Sequence, residues 1–427
     1  MAVKKVRTRQ RGKSWSYAFE GAKINGKRKA IEKGGFATEE EAYNAGLAAY
    51  AEYNAAGSVF SNSDMSLNDF IEIWFKHVTP KVKPNTLYNY SKMIRCHIKP
   101  CLGGYRLKDL TPGAIESWIQ GKYVQNMLSF STLDSMLKVL KVALDYAVYP
   151  AQLIRDNPAS RIKAPATAKR QVNERKPVSV ETMQRIIDYF REYKPARHYL
   201  LPILIGYHTG FRIGEVLGIE WQDIDFEAGT ITCRQQIQRL QGQGTAGFGG
   251  RNTGRWYIGE PKTKKSERTI RLDSDILDTL RRAKTAQAAN ELRYGGDYIE
   301  VYHREEFDDR TARKVERMRS YSKGDFAKQG ERMRLVCTQE CGDFIRFSSI
   351  NIAITRMRRM LNIPEFDFHT MRHTHAQMLL EAGAQVKDVS ARLGHASIDT
   401  TLDTYTAVTP AMQEQTIQIF ENIKKAK

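Results

Sequence analysis

The sequence predicts a multidomain protein that is mainly α-helical and carries small β-sheet elements. Its 427 residues suffice for roughly two to four domains. From residue 66 onward the apolar residues recur mostly at helical spacing, whereas short alternating segments near the start and middle of the chain are typical of strands. Polar stretches around residues 55–64 and 157–177 interrupt these patterns and predict linkers. We therefore expect three domains, at residues 1–60, 64–165 and 176–427.

The balance of charge indicates a polyanionic partner. The formal net charge is +19 and the isoelectric point is near 9.6, with 41% hydrophobic and 27% charged residues. Such an excess of Lys and Arg favours nucleic acid, because neutralised phosphates release counterions. No apolar stretch is long enough to span a membrane, and the first residues lack the apolar core of a signal peptide. We expect a cytoplasmic protein with access to DNA or RNA and no membrane partner.

Five cysteines are spread thinly along the chain. An odd, sparse set in a large chain argues against a disulfide framework. Cys337 and Cys341 are four residues apart, but no second pair with zinc-finger spacing follows them. We expect no metal at this pair.

The first sixty residues predict a small sheet packed on one helix. The stretch "SWSYAF" alternates, so its three aromatic residues share one face of a strand. Asn25-Gly26 is a strong hairpin signal, and the basic strand "KRKAI" follows it. Thr38 and Glu41 then form a capping box at the start of a helix.

Positive charge is dense in this N-terminal module. Residues 1–33 hold eleven Lys and Arg residues against two acidic ones. An ordinary solvated face is the alternative, but this density of one sign predicts a basic, aromatic sheet face that contacts nucleic acid. The candidate contacts are Lys4, Lys5, Arg7, Arg9, Arg11, Lys13, Trp15, Lys27, Arg28 and Lys29.

Residues 64–165 predict a compact domain of four helices. One helix starts after Thr111 with Pro112 in its first turn. Lys83 and Lys92 are further candidate DNA contacts. An exposed basic connector is expected after Asn157. The last helix has an apolar stripe of Leu133, Met136, Leu137, Leu140 and Leu144.

The remainder of the chain predicts an α+β unit. The helices "VETMQRIIDYF" and "YLLPILIGYHTG" precede short strands at "TITCRQQIQ", "RWYIG" and "RTIRL", and helices fill the end. The Gly-rich stretch at 238–256 lacks the P-loop pattern and precedes a strand, so it predicts a hairpin loop and not a nucleotide site. Residues 290–335 are polar, and we assign no structure to this insertion.

Four short pieces of this unit carry side chains that suit phosphate chemistry. "HTGFRIGE" places Arg212 at a helix start, and "EPKTKKSERTIRL" is a lysine-rich turn between two strands. "FHTMRHTHA" puts His369 and Arg372 three residues apart on one helix face. "LGHASIDTTLDTY" adds His395 and, ten residues later, Tyr405. Each piece alone also fits a surface ion pair, a solvated turn or a half-buried aromatic residue.

A zinc site is the rival interpretation of the histidines. His369 and His373 have the i, i+4 spacing that binds zinc on a helix. The zinc-protease pattern needs a glutamate directly after the first histidine, and Thr370 stands there. We therefore predict no metal and no cofactor.

Taken in order, the four pieces resemble the tyrosine recombinase, or phage integrase, family. "TGFRIGE" is similar to the first-arginine box of the family, "HTMRHTHA" to the second and "LGHASIDTTLDTY" to the nucleophile box. The likeness is greatest to integrases of phages and conjugative transposons from Gram-positive bacteria. Residues 1–60 resemble the arm-site binding domain and residues 64–165 the core-binding domain. The loop around 242–254 and the segment 290–335 are longer than in compact members.

The resemblance implies a site-specific DNA recombinase that forms a 3′-phosphotyrosyl intermediate. Arg212 and Arg372 would hold the phosphate oxygens, Tyr405 would be the nucleophile, and His369 would accept or orient its proton. His395 would donate to a phosphate oxygen, and Glu215 would be a buried structural acid. In the family a hairpin lysine is the general acid. Lys264 is our first choice for it, followed by Lys262.

The resemblance also implies partners. These are double-stranded DNA attachment sites, a homotetramer on DNA that uses the amphipathic tail at 410–425, and an excision or directionality factor in the bacterial host cell. Two alternatives remain at this point. A type IB topoisomerase shares the chemistry but needs no paired sites, and a non-catalytic repressor could keep the fold. The basic N-terminal module argues against the first, and the complete catalytic set argues against the second.

Overall fold

The computed structural model describes residues 6–24, 27–56, 63–168, 177–240, 255–259, 267–308, 313–395, 397–405 and 417. The chain forms two compact units, Met1–Gln171 and Val172–Lys427. The mainly helical, multidomain class predicted from the sequence is confirmed, and its sheets are small. The bounds of the three predicted domains stay a prediction. Among the described helices, none combines the length and apolar character that crossing a lipid bilayer requires.

The chain begins with a three-stranded antiparallel sheet and one helix. The strands are β1 (Arg7–Arg11), β2 (Ser14–Ile24) and β3 (Lys27–Phe36), and α1 (Glu39–Ala56) packs on them. Thr38 caps α1 by accepting from the Glu41 amide over 3.2 Å. The predicted turn at Asn25-Gly26 lies outside the described residues, but Ile24 and Lys27 pair on either side of it.

The two faces of this sheet differ in a way that corrects the sequence prediction. Tyr17 and Phe19 are each 3% exposed, and Phe19 packs against Tyr50 of α1 with ring centroids 5.4 Å apart. Arg7 and Arg9 pair with Ala18 and Ser16, so they lie on the opposite face and are exposed. The expectation of one face that is both basic and aromatic is therefore wrong for Tyr17 and Phe19, because the helix covers the aromatic side.

Four main helices form a second hydrophobic core. They are α2 (Leu67–Val78), α3 (Pro84–Met93), α5 (Pro112–Asn126) and α6 (Phe130–Val148), with a π-helical turn at Ile94–Ile98 and a short α4 (Lys99–Leu102) between α3 and α5. Thr111 caps α5 by accepting from the Ala114 amide, as Pro112 at the first turn predicts. The predicted stripe of α6 is buried throughout.

The stretch after α6 is packed, which corrects the prediction of an exposed connector. Ala159, Ala164 and Ala168 are buried in the helical core. Lys141 of α6 donates to the carbonyl of Ile162 over 2.7 Å. Small alanine side chains allow this basic stretch to lie against the helices, and composition alone did not reveal that. The residues at 169–176 lie outside the described part.

The second unit contains eight helices among its described residues. They are α7 (Val180–Glu192), α8 (Leu200–Thr209), α9 (Ile213–Leu217), α10 (Ser274–Tyr294), α11 (Phe347–Leu361), α12 (Phe368–Glu381), α13 (Val386–Leu393) and α14 (Ile398–Tyr405). Buried residues of α7, α8, α9, α11 and α12 share one hydrophobic core with the strands of this unit.

One long hairpin joins the two sheets of this unit. β4 (Ile224–Asp225), β5 (Thr230–Cys233) and β8 (Arg268–Arg271) form one sheet, while β6 (Gln236–Leu240) and β7 (Arg255–Gly259) belong to the other. Because β5 pairs with β8 and β6 pairs with β7, both antiparallel, the Gly-rich stretch at 241–254 connects the two arms, as predicted. That stretch itself lies outside the described residues.

The polar insertion completes the second sheet. It contributes β9 (Ile299–Asp308), β10 (Arg313–Ser322) and β11 (Glu331–Met333), and the strand order is β11-β9-β10-β7-β6. These strands are polar because they carry ion pairs. One example is Glu306, which accepts from Arg304, Arg317 and Arg319.

Candidate active site

Arg212 lies between α8 and α9, where its extended backbone caps α9. Its amide donates to Glu215 Oε2 over 3.0 Å, and Nη1 donates to Glu215 Oε1 over 2.8 Å. The helix begins here because Glu215 satisfies an amide that has no partner within the helix. The Arg212 side chain is 32% exposed, in contrast to the buried Glu215 that binds it.

A second arginine shares the same carboxylate. Arg268, the first residue of β8, donates from Nη2 to Glu215 Oε2 over 2.9 Å, and both side chains are buried. Burial alone would raise the pKa of the Glu215 carboxyl. The guanidinium groups of Arg268 and Arg212 outweigh burial and hold that pKa below its usual range. Glu215 is thus a charged anchor between two arginines.

Arg372 on α12 is 2% exposed and is fixed by the backbone near Arg212. Its Nη1 donates to the carbonyl of Gly210 over 2.9 Å. Gly210 ends α8 in the left-handed conformation with φ +67°, a conformation that favours glycine. The turn at Gly210 therefore positions both predicted arginines. Arg212 follows the turn in the chain, and Arg372 donates to the carbonyl of Gly210.

His369 lies one turn before Arg372 on α12. Its ring packs edge-on against that of His373, with centroids 5.0 Å apart. The helix begins at a capping box in which Asp367 accepts from the Thr370 amide over 2.7 Å. This cap holds His369 in the first turn, so the histidine lies at the N-terminal end of the helix.

His395 follows α13 directly. The helix ends at Gly394, which has φ +69°, and the His395 amide donates to the carbonyl of Ser390 over 3.1 Å. The ring Nδ1 lies 2.6 Å from Oγ1 of Thr401 on α14. This contact connects the turn after α13 to the helix that ends at Tyr405.

Positive charges act on His395. Burial, followed by the charges of Arg372, Arg212 and Arg268, lowers the pKa of His395 to about 4. The ring is neutral at pH 7, and the surrounding positive charge suits an anion such as a phosphodiester.

Two predicted residues lie wholly or partly outside the described residues. Tyr405 is the last residue of α14 and follows Thr401 by four residues, but its side chain lies outside the described part. Lys264 lies outside it entirely, as does the second choice, Lys262. The lysine-rich segment lies in the chain between β7 and β8, which belong to different sheets, and the predicted turn itself lies outside the described residues.

A network of hydrogen bonds joins the elements behind the site. Arg392 on α13 donates to the Nε2 of His375, to the carbonyl of Arg271 and to the carbonyl of His208. His375 in turn contacts the carbonyl of Tyr207 through Nδ1, over 2.9 Å. Burial and the charge of Arg392 lower the pKa of His375 to about 4. His375 is therefore a packing residue behind the site.

The predicted DNA contacts are partly visible. Arg7, Arg9, Arg11 and Lys13 are exposed, and Trp15 is half-buried. Five positions lie wholly or partly outside what is described: Lys4 and Lys5 entirely, and the side chains of Lys27, Arg28 and Lys29. Lys83 and Lys92 are exposed on the helical domain.

Sequence reasoning missed Arg268 and Thr401. Arg268 shares a strand face with the buried Ile270, so an arginine in a buried position of β8 was a usable signal. Thr401 gave no such signal, because one threonine in a Thr-rich helix does not stand out. Nowhere in the described ranges do three or more His, Cys, Asp or Glu side chains group closely enough to hold a metal ion.

Comparisons with known families agree along the chain. Residues 177–412 match the model described as the phage integrase family. Residues 66–123 match the phage integrase N-terminal SAM-like domain, and residues 5–46 match an Arm DNA-binding domain.

Individual relatives are distant. A XerC-like tyrosine recombinase of Caldanaerobacter subterraneus subsp. tengcongensis is 26% identical over 365 residues, which cover 84% of each chain. The Tn1549 transposon integrase in complex with transposon right end DNA has a TM-score of 0.61 at 19% identity, covering 83% of this chain and 99% of that one. A lambda integrase tetramer bound to a Holliday junction has a TM-score of 0.54 at 17% identity and covers 94% of each chain. The two structures show a shared fold.

Proposed function

The chain belongs to the phage integrase family of site-specific tyrosine recombinases, and we propose that Tyr405 cuts DNA by forming a 3′-phosphotyrosyl bond. The support is that Arg372 is held by the carbonyl of Gly210, two residues before Arg212, and that both arginines lower the pKa of the buried His395. His369 lies three residues before Arg372 on α12. A phosphodiester bound at this site would contact both guanidinium groups.

The two arginines can stabilise the negative charge that develops during the reaction. Attack on a phosphodiester increases the negative charge on its non-bridging oxygens, and fixed guanidinium groups stabilise that charge. Arg372 is held by the Gly210 carbonyl and Arg212 by Glu215, so neither has to reorganise during the reaction.

The proposed reaction balances in bonds and protons, and it consumes no nucleotide cofactor. The phenol oxygen of Tyr405 attacks phosphorus, a P–O(Tyr) bond forms, and the bond from phosphorus to the 5′ oxygen breaks. A free tyrosine has a pKa of about 10, so the positive pocket and His369 as proton acceptor would make the phenol reactive. Lys264 would protonate the leaving 5′ oxygen. Attack by the 5′ hydroxyl of a second strand reverses these steps and rejoins DNA.

His395 has a distinct part in this scheme. Its low pKa keeps the ring neutral at pH 7, so it can donate one hydrogen bond to a phosphate oxygen without adding a full charge. The contact of Nδ1 with Thr401 leaves Nε2 available for that bond.

The larger assembly is also part of the proposal. The Tn1549 integrase structure is a complex with transposon right end DNA, and the lambda integrase structure is a tetramer bound to a Holliday junction. By analogy, we propose paired DNA attachment sites and a homotetramer on DNA. Residues 1–60 would bind arm sites, residues 64–165 core sites and residues 176–427 the cleavage point. Recombination of a mobile element would take place in the bacterial cytoplasm, with an excision factor setting direction.

Covalent trapping tests the proposal. A nicked suicide duplex carrying an end of the element should trap the full-length protein, and peptide mapping should find DNA on Tyr405. Tyr405→Phe, with an unchanged DNA affinity, should form no adduct. An adduct on another residue, or an equal yield from Tyr405→Phe, would refute the assignment. Strand exchange between two duplexes separates a recombinase from a topoisomerase, and Lys264→Ala compared with Lys262→Ala identifies the general acid.

A further inference from the structure

We infer that Arg268 is a positioning residue for DNA cleavage, because it fixes the phosphate-binding Arg212 and the turn that carries His395 with one guanidinium group. The inference rests on the proposed function, since it concerns the same site. Arg268 itself contacts no reacting atom in this scheme.

The first contact is with the anchor of Arg212. The two oxygens of Glu215 are divided between the arginines. Oε1 accepts from the guanidinium of Arg212 over 2.8 Å, and Oε2 accepts from Arg268 over 2.9 Å and from the Arg212 amide over 3.0 Å. Arg268 thereby fixes the rotation of the carboxylate, and the carboxylate fixes Arg212.

The second contact is with the turn after α13. Arg268 Nε donates to the carbonyl of Arg392 over 2.7 Å, across 124 positions of the sequence. A Cβ atom built on Gly394 would lie only 3.0 Å from Nη1 of Arg268, so the guanidinium lies directly against that glycine. His395 is the next residue. Arg268 therefore determines where the turn sits relative to β8.

A third contact restricts the guanidinium itself. Its carbon lies 4.3 Å from the centroid of the Phe211 ring, which is 1% exposed and precedes Arg212 directly. A planar guanidinium group that stacks on a ring and donates hydrogen bonds to two partners has little freedom to move. A lysine in this place would keep the charge but lose that geometry.

The charge of Arg268 also controls Glu215. The groups that face this carboxylate are Arg212 on α9, Arg268 on β8 and the Cys233 thiol on β5, whose pKa burial raises to about 12. Without Arg268, only Arg212 opposes the effect of burial, so the pKa of Glu215 would rise. A protonated Glu215 no longer holds the Arg212 guanidinium by charge, so cleavage by such a variant would weaken as the pH falls.

The test compares Arg268→Gln with Arg271→Gln in the full-length chain. Arg271 is exposed on the same strand, so the two variants lose the same charge. Single-turnover cleavage of the suicide duplex should slow by about 10- to 100-fold for Arg268→Gln, with DNA affinity changed less than about threefold. The acid limb of its rate profile should move up by about one pH unit or more. Arg271→Gln should match the wild type.

Three outcomes would overturn the inference. The first is cleavage by Arg268→Gln as fast as by Arg271→Gln. The second is a loss of rate without a shift of the acid limb. The third is an equal loss of cleavage and DNA binding, as a merely destabilised protein would show. If Arg268→Gln does not fold, Arg268→Lys decides: the inference requires slow cleavage with near wild-type affinity, and a wild-type rate contradicts it. Failure of the wild type to form an adduct through Tyr405 would instead refute the proposed function.

Discussion

Oγ1 of Thr401 and Nδ1 of His395 lie 2.6 Å apart, and the threonine is fully buried. A neutral imidazole carries its proton on one nitrogen only. For His395 to donate to a phosphate from Nε2, Nδ1 must accept, and the Thr401 hydroxyl is then its donor. The same contact ties the turn after α13 to α14, the helix that ends at Tyr405.

Replacing Thr401 should therefore damage catalysis more than binding. Thr401→Val keeps the shape but removes the hydroxyl, and we expect cleavage to slow by about tenfold, the usual effect of losing one or two kcal/mol of positioning. Thr401→Ser keeps the hydroxyl and should stay within about threefold of the wild type. The measurement is the single-turnover rate at saturating protein, with DNA affinity measured in parallel. Equal rates for the valine and serine variants would contradict the assigned hydrogen bond.

Candidate site residues could be proposed from the sequence because the motifs that carry them are local. Arg212, the pair His369 and Arg372, and the turn at His395 each lie in a short motif at the end of a helix, where the pattern also sets the geometry. Arg268 could not be placed in the same way. Its two partners lie 53 and 124 positions away, and only the fold brings them together.

Charge concealed structure in two segments. We assigned no structure to the insertion at 290–335 because it is polar and charged, yet its Glu and Arg side chains pair across β9 and β10. The stretch at 157–168 reads as a linker because it is basic, yet its alanines are buried. In both cases the pairing or burial partner belongs to another segment, so a local pattern could not reveal it.

Stability should fall in mild acid because of His375. Its folded pKa of about 4 is below the ordinary 6.5, so the unfolded chain binds more protons between these values. Its contribution is complete above pH 6.5 and is lost as the pH falls toward 4. Between pH 7.5 and 5 we expect the free energy of unfolding to drop by about 2 kcal/mol from this residue alone. His395, with a pKa also near 4, changes stability in the same direction.

Urea unfolding at pH 7.5 and 5, followed by circular dichroism, measures this dependence. His375→Gln retains a donor and an acceptor but cannot titrate. It should be less stable than the wild type at pH 7.5, and the difference should shrink by about 2 kcal/mol at pH 5. A constant difference between the two proteins would show that His375 is not the titrating group.

Gly210 should be intolerant of any side chain. Its φ of +67° strains an L-residue, and a Cβ atom there would lie 2.6 Å from Cδ2 of Leu393. The carbonyl that holds Arg372 would have to move with the backbone. Gly210→Ala should therefore lower the free energy of unfolding by about 1 to 3 kcal/mol and slow cleavage beyond what the loss of folded protein explains.

Gly296→Ala is the matched control, because a Cβ at Gly296 meets nothing within 4 Å. Both variants are compared by urea unfolding and by single-turnover cleavage at a temperature where each is folded. If Gly210→Ala cleaves at the rate of Gly296→Ala while it is folded, the turn at Gly210 does not position Arg372.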